Sequence, residues 1–126
     1  MKVLDNNFLE VLKNEGVVSI VTMNETEPHI ANTWNSFVQI SKEGSILIPA
    51  AGMQATEKNV GLNNKIKIAL GSKEVVGFNN YQGCGFLIEG TASFVDSGAN
   101  FDFMKEKFSF ISRVLEVKIN SLKQKI

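Results

Sequence analysis

The single tryptophan of the chain lies among polar side chains, in a segment that otherwise has the composition of a β-strand. The run Asn32-Thr-Trp-Asn-Ser-Phe37 places amide and hydroxyl groups around Trp34. An indole offers a flat surface, and amides and hydroxyls can hydrogen-bond the edge of a heterocycle. Asn and Ser are poor strand residues. This mixture indicates a site for a planar heterocycle more than it indicates simple core packing.

A run of small residues, Ala50 to Thr56, could hold a phosphate. Its sequence, Ala50-Ala51-Gly52-Met53-Gln54-Ala55-Thr56, is poorly suited to a strand. We expect Thr56 to cap a short helix through Asn59 to Leu62, and N–H groups at a helix start bind anions. A structural loop would look much the same. The residues alone therefore leave two alternatives, a planar phosphorylated ligand or an unliganded structural or interaction domain.

Other kinds of chemistry have less support. The single histidine, His29, follows a turn, where a surface imidazole is a simpler interpretation than the base of a nucleophilic triad. One His and one Cys, Cys84, cannot supply a four-ligand zinc site. The acidic residues show no paired spacing that demands acid–base catalysis; they include Glu15, Glu57, Glu89 and Glu116. We therefore predict neither a metal site nor a dedicated catalytic residue.

Short strands separated by turns make up most of the predicted structure. Strands are expected at 17–23, 29–40, 45–48, 65–70, 75–76, 85–95 and 113–119, with 120–126 as a tail. Helices are expected at 7–16, capped by Asn7, at 56–62, and at 101–111, where apolar residues recur at spacings of three and four. Many short strands with two or three brief helices favour a mainly β, antiparallel barrel.

Composition narrows the remaining possibilities. With 126 residues, 44% of them hydrophobic, residues 1–126 fit one domain. Thirteen basic residues balance thirteen acidic ones, so no net field favours nucleic acid or an anionic membrane. The apolar runs are too short to span a bilayer, and the start of the chain has no apolar signal segment. A single cysteine agrees with a reducing compartment. We therefore expect a cytoplasmic protein.

Stretches along nearly the whole chain match a known pattern. They are Phe8-Leu-Glu-Val-Leu-Lys-Asn-Glu-Gly-Val-Val18, Pro28-His29, Asn32-Thr-Trp-Asn-Ser36, Pro49, Gly52-Met53, Thr56-Glu57, Asn59-Val60, Leu70-Gly-Ser72, Gly85-Phe-Leu-Ile88 and Gly90. In these stretches the chain resembles the small FMN-binding proteins of sulfate-reducing bacteria, members of the split-barrel flavoprotein superfamily with pyridoxamine-phosphate oxidases and flavin reductases. The resemblance implies a Greek-key split β-barrel and one FMN per subunit at a homodimer interface.

The same resemblance implies roles for individual residues. The isoalloxazine would be lined by Asn32, Thr33 and Trp34, with Phe37 nearby. The flavin would pass along Ala50, Ala51, Gly52 and Met53, and its ribityl phosphate would lie beside Gln54 and Thr56. Asn14 would approach the cofactor, and Glu15 would tune its potential. Ile126 would reach the flavin of the partner subunit as an apolar plug.

Three positions depart from the family pattern. The lysine that precedes the threonine of the phosphate loop is Ala55 here, which removes a cation; Lys58 and Lys73 are candidates to replace it. The tryptophan that the family contributes from the partner subunit is Phe110, which we expect on the 101–111 helix. The tyrosine after the Asn-Ser pair is Phe37, which lacks the hydroxyl.

The sequence thus predicts an FMN-binding flavoprotein in electron transfer or flavin-dependent redox chemistry, served by a redox partner protein or a reduced nicotinamide nucleotide. Two alternatives stay open. One is a cofactor-free or weakly binding interaction domain, because Ala55 removes a phosphate contact. The other is an oxidoreductase similar to pyridoxamine-phosphate oxidase that acts on a small substrate. Whether the chain is an enzyme is left undecided.

Overall fold

The computed structural model describes residues 4–126. Residues 1–3, which belong to the predicted domain and to the start of the chain where no signal segment is predicted, lie outside that range. The described strands are β1 Val17–Met23, β2 Pro28–Trp34, β3 Gln39–Ile40, β4 Ile46–Ala50, β5 Lys65–Val76, β6 Gln82–Val95 and β7 Arg113–Gln124. The helices are α1 Asn6–Leu12, α2 Gln54–Leu62 and α3 Ala99–Lys107, with 3₁₀ turns at Asn35–Phe37 and Phe78–Asn80.

The strands form one antiparallel sheet in the order β2-β1-β5-β6-β7-β4-β3. β1 pairs with β5 and β7 pairs with β4, so neighbours in the sheet are often distant in the chain. The three central strands, β5 to β7, have 12 to 14 residues each and are interrupted by bulges between residues 72 and 76 and at Glu89/Gly90. Such bulges bend and twist a sheet. The fold is a mainly β, antiparallel split barrel, which confirms the predicted class.

The core follows from alternation along the strands. In β5, Ile66, Ile68 and Leu70 are buried, whereas Lys67 and Ala69 between them are exposed, as a strand with one solvated face requires. Helix α1 covers this core with Phe8 and Val11, both fully buried. The Phe8 ring meets the Phe86 ring edge to face, with centroids 5.4 Å apart. Burying a side chain of this size stabilises the fold by roughly 2 to 3 kcal/mol.

A smaller apolar cluster lies under α3. Met104 is fully buried against Leu47, Ile111 and Val114, with Phe108 packed at its edge. These residues come from α3, from the segment after it, and from β4 and β7. The cluster holds the 108–112 segment beside the end of β4, where the 50–56 loop begins.

Two helix predictions were wrong in detail. The cap of α1 is Asp5, not Asn7: the Asp5 carboxylate accepts hydrogen bonds from the N–H groups of Asn7, at 2.7 Å, and Phe8, at 3.3 Å. The helix ends at Leu12 instead of continuing to residue 16. Helix α3 ends at Lys107 instead of residue 111, because the apolar spacing beyond it serves packing in the smaller cluster rather than a helical turn.

Three extended segments also differ from their predictions. The 29–40 run is broken after Trp34 by a 3₁₀ turn, so only Gln39–Ile40 resumes pairing. Residues 65–76 form one bulged strand instead of two. The predicted tail continues β7 to Gln124, because Leu122 and Gln124 pair with Ile88 and Phe86. Strand pairing accounts for the second and third differences, and the hydrogen bonds of the buried Asn35 hold the turn that makes the first.

Candidate functional site

The loop after β4 ends in a helix that no side chain caps. The Ala50 carbonyl accepts a hydrogen bond from the Ser112 N–H at 3.0 Å. Ala51 and Gly52 are exposed, and Met53 takes the left-handed conformation, with φ 62°, directly before α2. The prediction that Thr56 caps the helix was wrong: Met53 holds the cap position and makes no side-chain cap hydrogen bond. Thr56 is the third residue of α2.

This loop carries several hydrogen-bonding groups without partners. The first N–H groups of an α-helix have no acceptor within the helix, and here they belong to Gln54, Ala55 and Thr56. The Thr56 hydroxyl is fully buried and has no hydrogen-bond partner within the described protein. A Cβ at Gly52 would meet only the Gln54 side chain, at 3.9 Å, so the backbone there is open to a close approach. These donors fit a phosphate group.

Arg113 contacts this loop, and sequence reasoning did not find it. Its guanidinium donates to the carbonyl of Ala51, at 3.3 Å, and to the carbonyl of Gly52. Its Nε lies 2.8 Å from Oε1 of Glu57, on the first turn of α2. Arg113 reaches the loop because it is the first residue of β7 and pairs with Ala50. The local sequence holds no signal for this contact, because it results from the pairing of two strand residues that lie 63 positions apart in the chain.

The two lysines considered as substitutes for the missing cation lie elsewhere. Lys58 lines a cleft with residues of the β1–β2 turn, including Glu25 and Glu27. Lys73, on β5, lines a different cleft together with Glu15. Among these three basic residues, Arg113 is therefore the one whose described contacts include the loop.

The end of β2 presents the tryptophan. Trp34 is 48% exposed and lies across from Val17, which is also about half exposed. Asn32 donates its amide to the Val18 carbonyl, at 3.2 Å, and to the Ser19 hydroxyl, at 3.1 Å, and Thr33 is half-buried. The indole is therefore available to a ligand or a partner, whereas the Asn32 N–H groups already have acceptors on β1.

The polar residues after Trp34 bind the protein itself. Asn35 is fully buried and donates its amide to the carbonyls of Val11, Asn14 and Gly71, at 2.8 to 3.3 Å. These bonds tie the 3₁₀ turn to the end of α1 and to β5. Asn and Ser were expected here as partners for a ring edge; the Asn35 amide has an anchoring role instead.

Ser36 anchors the same turn to Glu15. Its N–H donates to Oε1 of Glu15 at 3.0 Å, and its hydroxyl donates to Oε2 at 2.7 Å. The hydroxyl bond, and after it the backbone bond, lower the pKa of Glu15 below its ordinary 4.5, because both favour the charged form. Asn14, two residues after α1, is half-buried and donates its amide to the Glu10 carbonyl of that helix at 3.0 Å.

Phe37 and Phe110 belong to one aromatic group in the same chain. The Phe37 ring centroid lies 5.3 Å from that of Phe108 and 6.1 Å from that of Phe110. Phe110 is 56% exposed. The prediction that it lies on a helix was wrong, since α3 ends three residues earlier. Two of the predicted site residues are thus brought together by packing between distant segments.

Ile126 and Glu15 line a common cleft. The C-terminal Ile126 is 53% exposed, and its backbone exchanges hydrogen bonds with Gly85 at 3.3 and 3.4 Å. It borders a cleft of about 560 Å³ whose lining includes Glu15, Gly71 and Tyr81 but none of residues 50–56. Ile126 and Glu15 therefore lie in a cleft separate from the 50–56 loop of the same chain.

Two further observations concern the described residues as a whole. None of the helices in residues 4–126 is long and apolar enough to cross a membrane. In the same range, no three His, Cys, Asp or Glu side chains lie together as a metal-binding cluster would. Cys84 is buried, and this burial raises the pKa of its thiol.

Known proteins resemble this chain in sequence and in fold. No protein-family model matches the chain. The chain is 40% identical over 121 residues to the FMN-binding protein of Nitratidesulfovibrio vulgaris strain Miyazaki F. The aligned residues cover 96% of this chain and 98% of that protein.

Solved structures give the same fold at lower identity. HupZ of Group A Streptococcus superposes with a TM-score of 0.79 at 16% identity, covering 97% of this chain and 94% of HupZ. An FMN-binding protein from Syntrophomonas wolfei superposes with a TM-score of 0.67 at 17% identity, covering 85% of this chain and 75% of that one. These two matches bear on the fold alone. Identity of 40% over nearly both full lengths shows more: this chain belongs to the family of the Nitratidesulfovibrio FMN-binding protein.

Proposed function

We propose that this chain binds FMN non-covalently and serves in electron transfer or flavin-dependent redox chemistry as a homodimer. The observation that carries the proposal is the uncapped start of α2 with the buried, unpartnered hydroxyl of Thr56. A buried hydroxyl without a partner is unfavourable. A bound phosphate oxygen would accept from it and from the free N–H groups beside it.

The phosphate end of the site would be the loop itself. Ala50, Ala51, Gly52 and Met53 would border the ribityl chain, and Gln54 and Thr56 would hold the phosphate. Backbone donors suit this task because they have no rotamers to order on binding. Family membership supports the choice of FMN, since the relative at 40% identity carries that cofactor in its name.

The ring end would be formed by aromatic surface. Trp34 would lie against the isoalloxazine, with Asn32, Thr33 and Phe37 beside it, and a half-exposed indole is available for that contact. FMN when bound supplies one- or two-electron transfer. The protein would orient the ring and exclude water, and Glu15, ionised through its bonds to Ser36, would place a negative charge near it.

A second subunit would complete the site. Trp34, Phe110 and Ile126 are each about half exposed although they are large and apolar, and such surface commonly becomes buried in an oligomer. The cleft of Glu15 and Ile126 does not include the loop. In the proposed homodimer, Phe110 and Ile126 of one subunit would serve the flavin of the other, and Asn14 would approach the cofactor. We place this dimer in the cytoplasm, in keeping with the single buried Cys84.

Titration with FMN tests the proposal. We expect flavin absorbance bands in the purified protein, or saturable quenching of Trp34 fluorescence at one FMN per subunit, because Trp34 is the only indole. Thr56→Val, which removes the hydroxyl at nearly constant volume, should weaken binding. Thr26→Val, in the exposed β1–β2 turn, is the matched control.

The same titration separates the alternatives. A colourless protein that stays dimeric and ignores FMN would replace this proposal with a cofactor-free interaction domain. If FMN binds, mixing the complex with reduced nicotinamide nucleotide distinguishes two roles. Bleaching without a partner protein indicates a flavin reductase, and stable colour indicates a carrier that needs a redox partner protein. Turnover of a small amine or alcohol substrate would instead indicate an oxidase.

A further inference from the structure

The Arg113 guanidinium binds two consecutive carbonyls of the loop. It donates to the oxygens of Ala51 and Gly52. In a trans peptide, the carbonyl and the following N–H point in opposite directions. When the two carbonyls face Arg113, the N–H groups of Gly52 and Met53 face away from it. Arg113 thus determines how the donors of these two peptides are presented.

Arg113 is itself held on several sides. Besides the loop, it contacts Oε1 of Glu57 at 2.8 Å and donates to the Ser112 hydroxyl at 2.6 Å. Its guanidinium carbon lies 5.4 Å from the Phe94 ring centroid, and its side chain is only 17% exposed. One side chain therefore joins the start of β7, the loop and the first turn of α2. Lysine, with a single ammonium group, cannot reproduce this planar set of contacts.

The charge of Arg113 is largely balanced where it lies. Glu57 faces the guanidinium directly, so the long-range field of the cation is reduced. The hydrogen bonds to Ala51 and Gly52, in contrast, depend only on geometry. The contribution of Arg113 to anion binding should therefore come mainly from the orientation of the loop.

We propose that Arg113 is a positioning residue that makes this site prefer FMN over riboflavin, an inference that rests on the proposed FMN function. By holding these two carbonyls, Arg113 keeps the N–H groups of Gly52 and Met53 turned towards the phosphate, beside the free donors at the start of α2. It does so in a chain where Ala55 offers no side-chain cation. Riboflavin keeps the ring and the ribityl chain but lacks the phosphate, so its binding should depend on Arg113 much less than FMN binding does.

The test measures both ligands on matched variants. FMN and riboflavin are titrated, with flavin emission as the readout, against the dimeric wild type, Arg113→Gln, Arg113→Lys and Lys58→Gln. Lys58→Gln removes a cation of α2 that has no described contact with the loop, and it controls for net charge. We expect Arg113→Gln to weaken FMN binding about tenfold or more with a much smaller change in riboflavin affinity. Arg113→Lys should behave nearly like Arg113→Gln, and Lys58→Gln like the wild type.

A second measurement needs no ligand. Amide hydrogen exchange of residues 50–54 in the flavin-free protein should accelerate in Arg113→Gln, with the central strands protected as before. Equal weakening of FMN and riboflavin, wild-type selectivity in Arg113→Lys, or unchanged exchange in the loop would each overturn the inference. Failure of the wild type to bind either flavin would instead overturn the proposed function, and the exchange measurement would still decide whether Arg113 holds the loop.

Discussion

The 50–56 loop and the turn at residues 34–37 treat their hydrogen-bond donors in opposite ways. In the 50–56 loop, the first amides of α2 lack helical acceptors and the Thr56 hydroxyl has no described partner. Around residues 34–37, the Asn35 amide bonds three carbonyls, and Ser36 bonds both oxygens of Glu15. Unpaired donors indicate a place where a ligand binds. Donors paired within the protein indicate a place that holds another group in position, here Trp34 and Phe37.

The largest predicted effect is a loss of stability, and it comes from Gly16, which packs against Asn35. Gly16→Ala would place a Cβ 1.9 Å from the Gly71 carbonyl oxygen and 2.9 Å from the Asn35 amide nitrogen. Since backbone must move, we expect a loss of about 3 kcal/mol or more in the free energy of unfolding, measured by urea denaturation. Gly61→Ala in α2 is the control: a Cβ there meets nothing within 4 Å, so it should stabilise by about 0.5 to 1 kcal/mol. Equal effects would contradict close packing at Gly16.

Next in size is an effect on assembly. Phe110→Glu places a charge on an exposed aromatic that packs against Phe37, and burying that charge in a subunit interface would cost about 2 kcal/mol or more. We expect a higher dissociation constant for the dimer in sedimentation equilibrium, together with weaker FMN binding. Thr26→Glu adds the same charge at the β1–β2 turn. If Phe110→Glu leaves both association and FMN binding unchanged, Phe110 is not an interface residue.

In the 50–56 loop, a single substitution should weaken FMN binding without lowering stability. Thr56→Val removes a buried hydroxyl without a partner, so we expect flavin-free stability to stay the same or to rise by about 1 kcal/mol. FMN affinity should fall by about tenfold, and riboflavin affinity should not change. Thermal unfolding without flavin and titration with both flavins measure these quantities. A clear loss of flavin-free stability would mean that the hydroxyl has a partner in the protein, which would remove the contrast between the two regions.

The smallest effect concerns pH. The pKa of Glu15 is lowered in the folded protein, so its ionised form stabilises the fold. That contribution is present above the ordinary pKa of 4.5 and is lost as pH falls through the lower folded value. The stability difference between wild type and Glu15→Gln should therefore stay constant above about pH 4.5 and shrink as the pH falls below that value. Glu10→Gln, which removes only an exposed ion pair with Lys13, should show no such convergence in urea unfolding.

Local patterns predicted some elements to the residue and others poorly. The β-branched run Val17–Met23 forms the strand it predicted, because strand preference and burial agree there. The apolar residues after Lys107 suggested more helix, yet Phe108 and Ile111 pack into the small cluster without one. The predicted tail became part of β7 because β6 was long enough to pair with it. A pattern is a reliable guide where the local preference and the long-range partner require the same conformation.

The amino-acid sequence by itself determined the class of fold, the family, and the two segments in which the candidate site lies, because strand-forming runs, turn residues and the Asn32–Phe37 and Ala50–Thr56 stretches are all local features. Only the tertiary structure decided which polar atoms are satisfied. The contacts of Asn35, Ser36 and Arg113 join segments 21 to 62 residues apart in the chain. Strand register sets the Arg113 contact, and the packing of the 3₁₀ turn against the end of α1 sets the contacts of Asn35 and Ser36. Both depend on the whole fold.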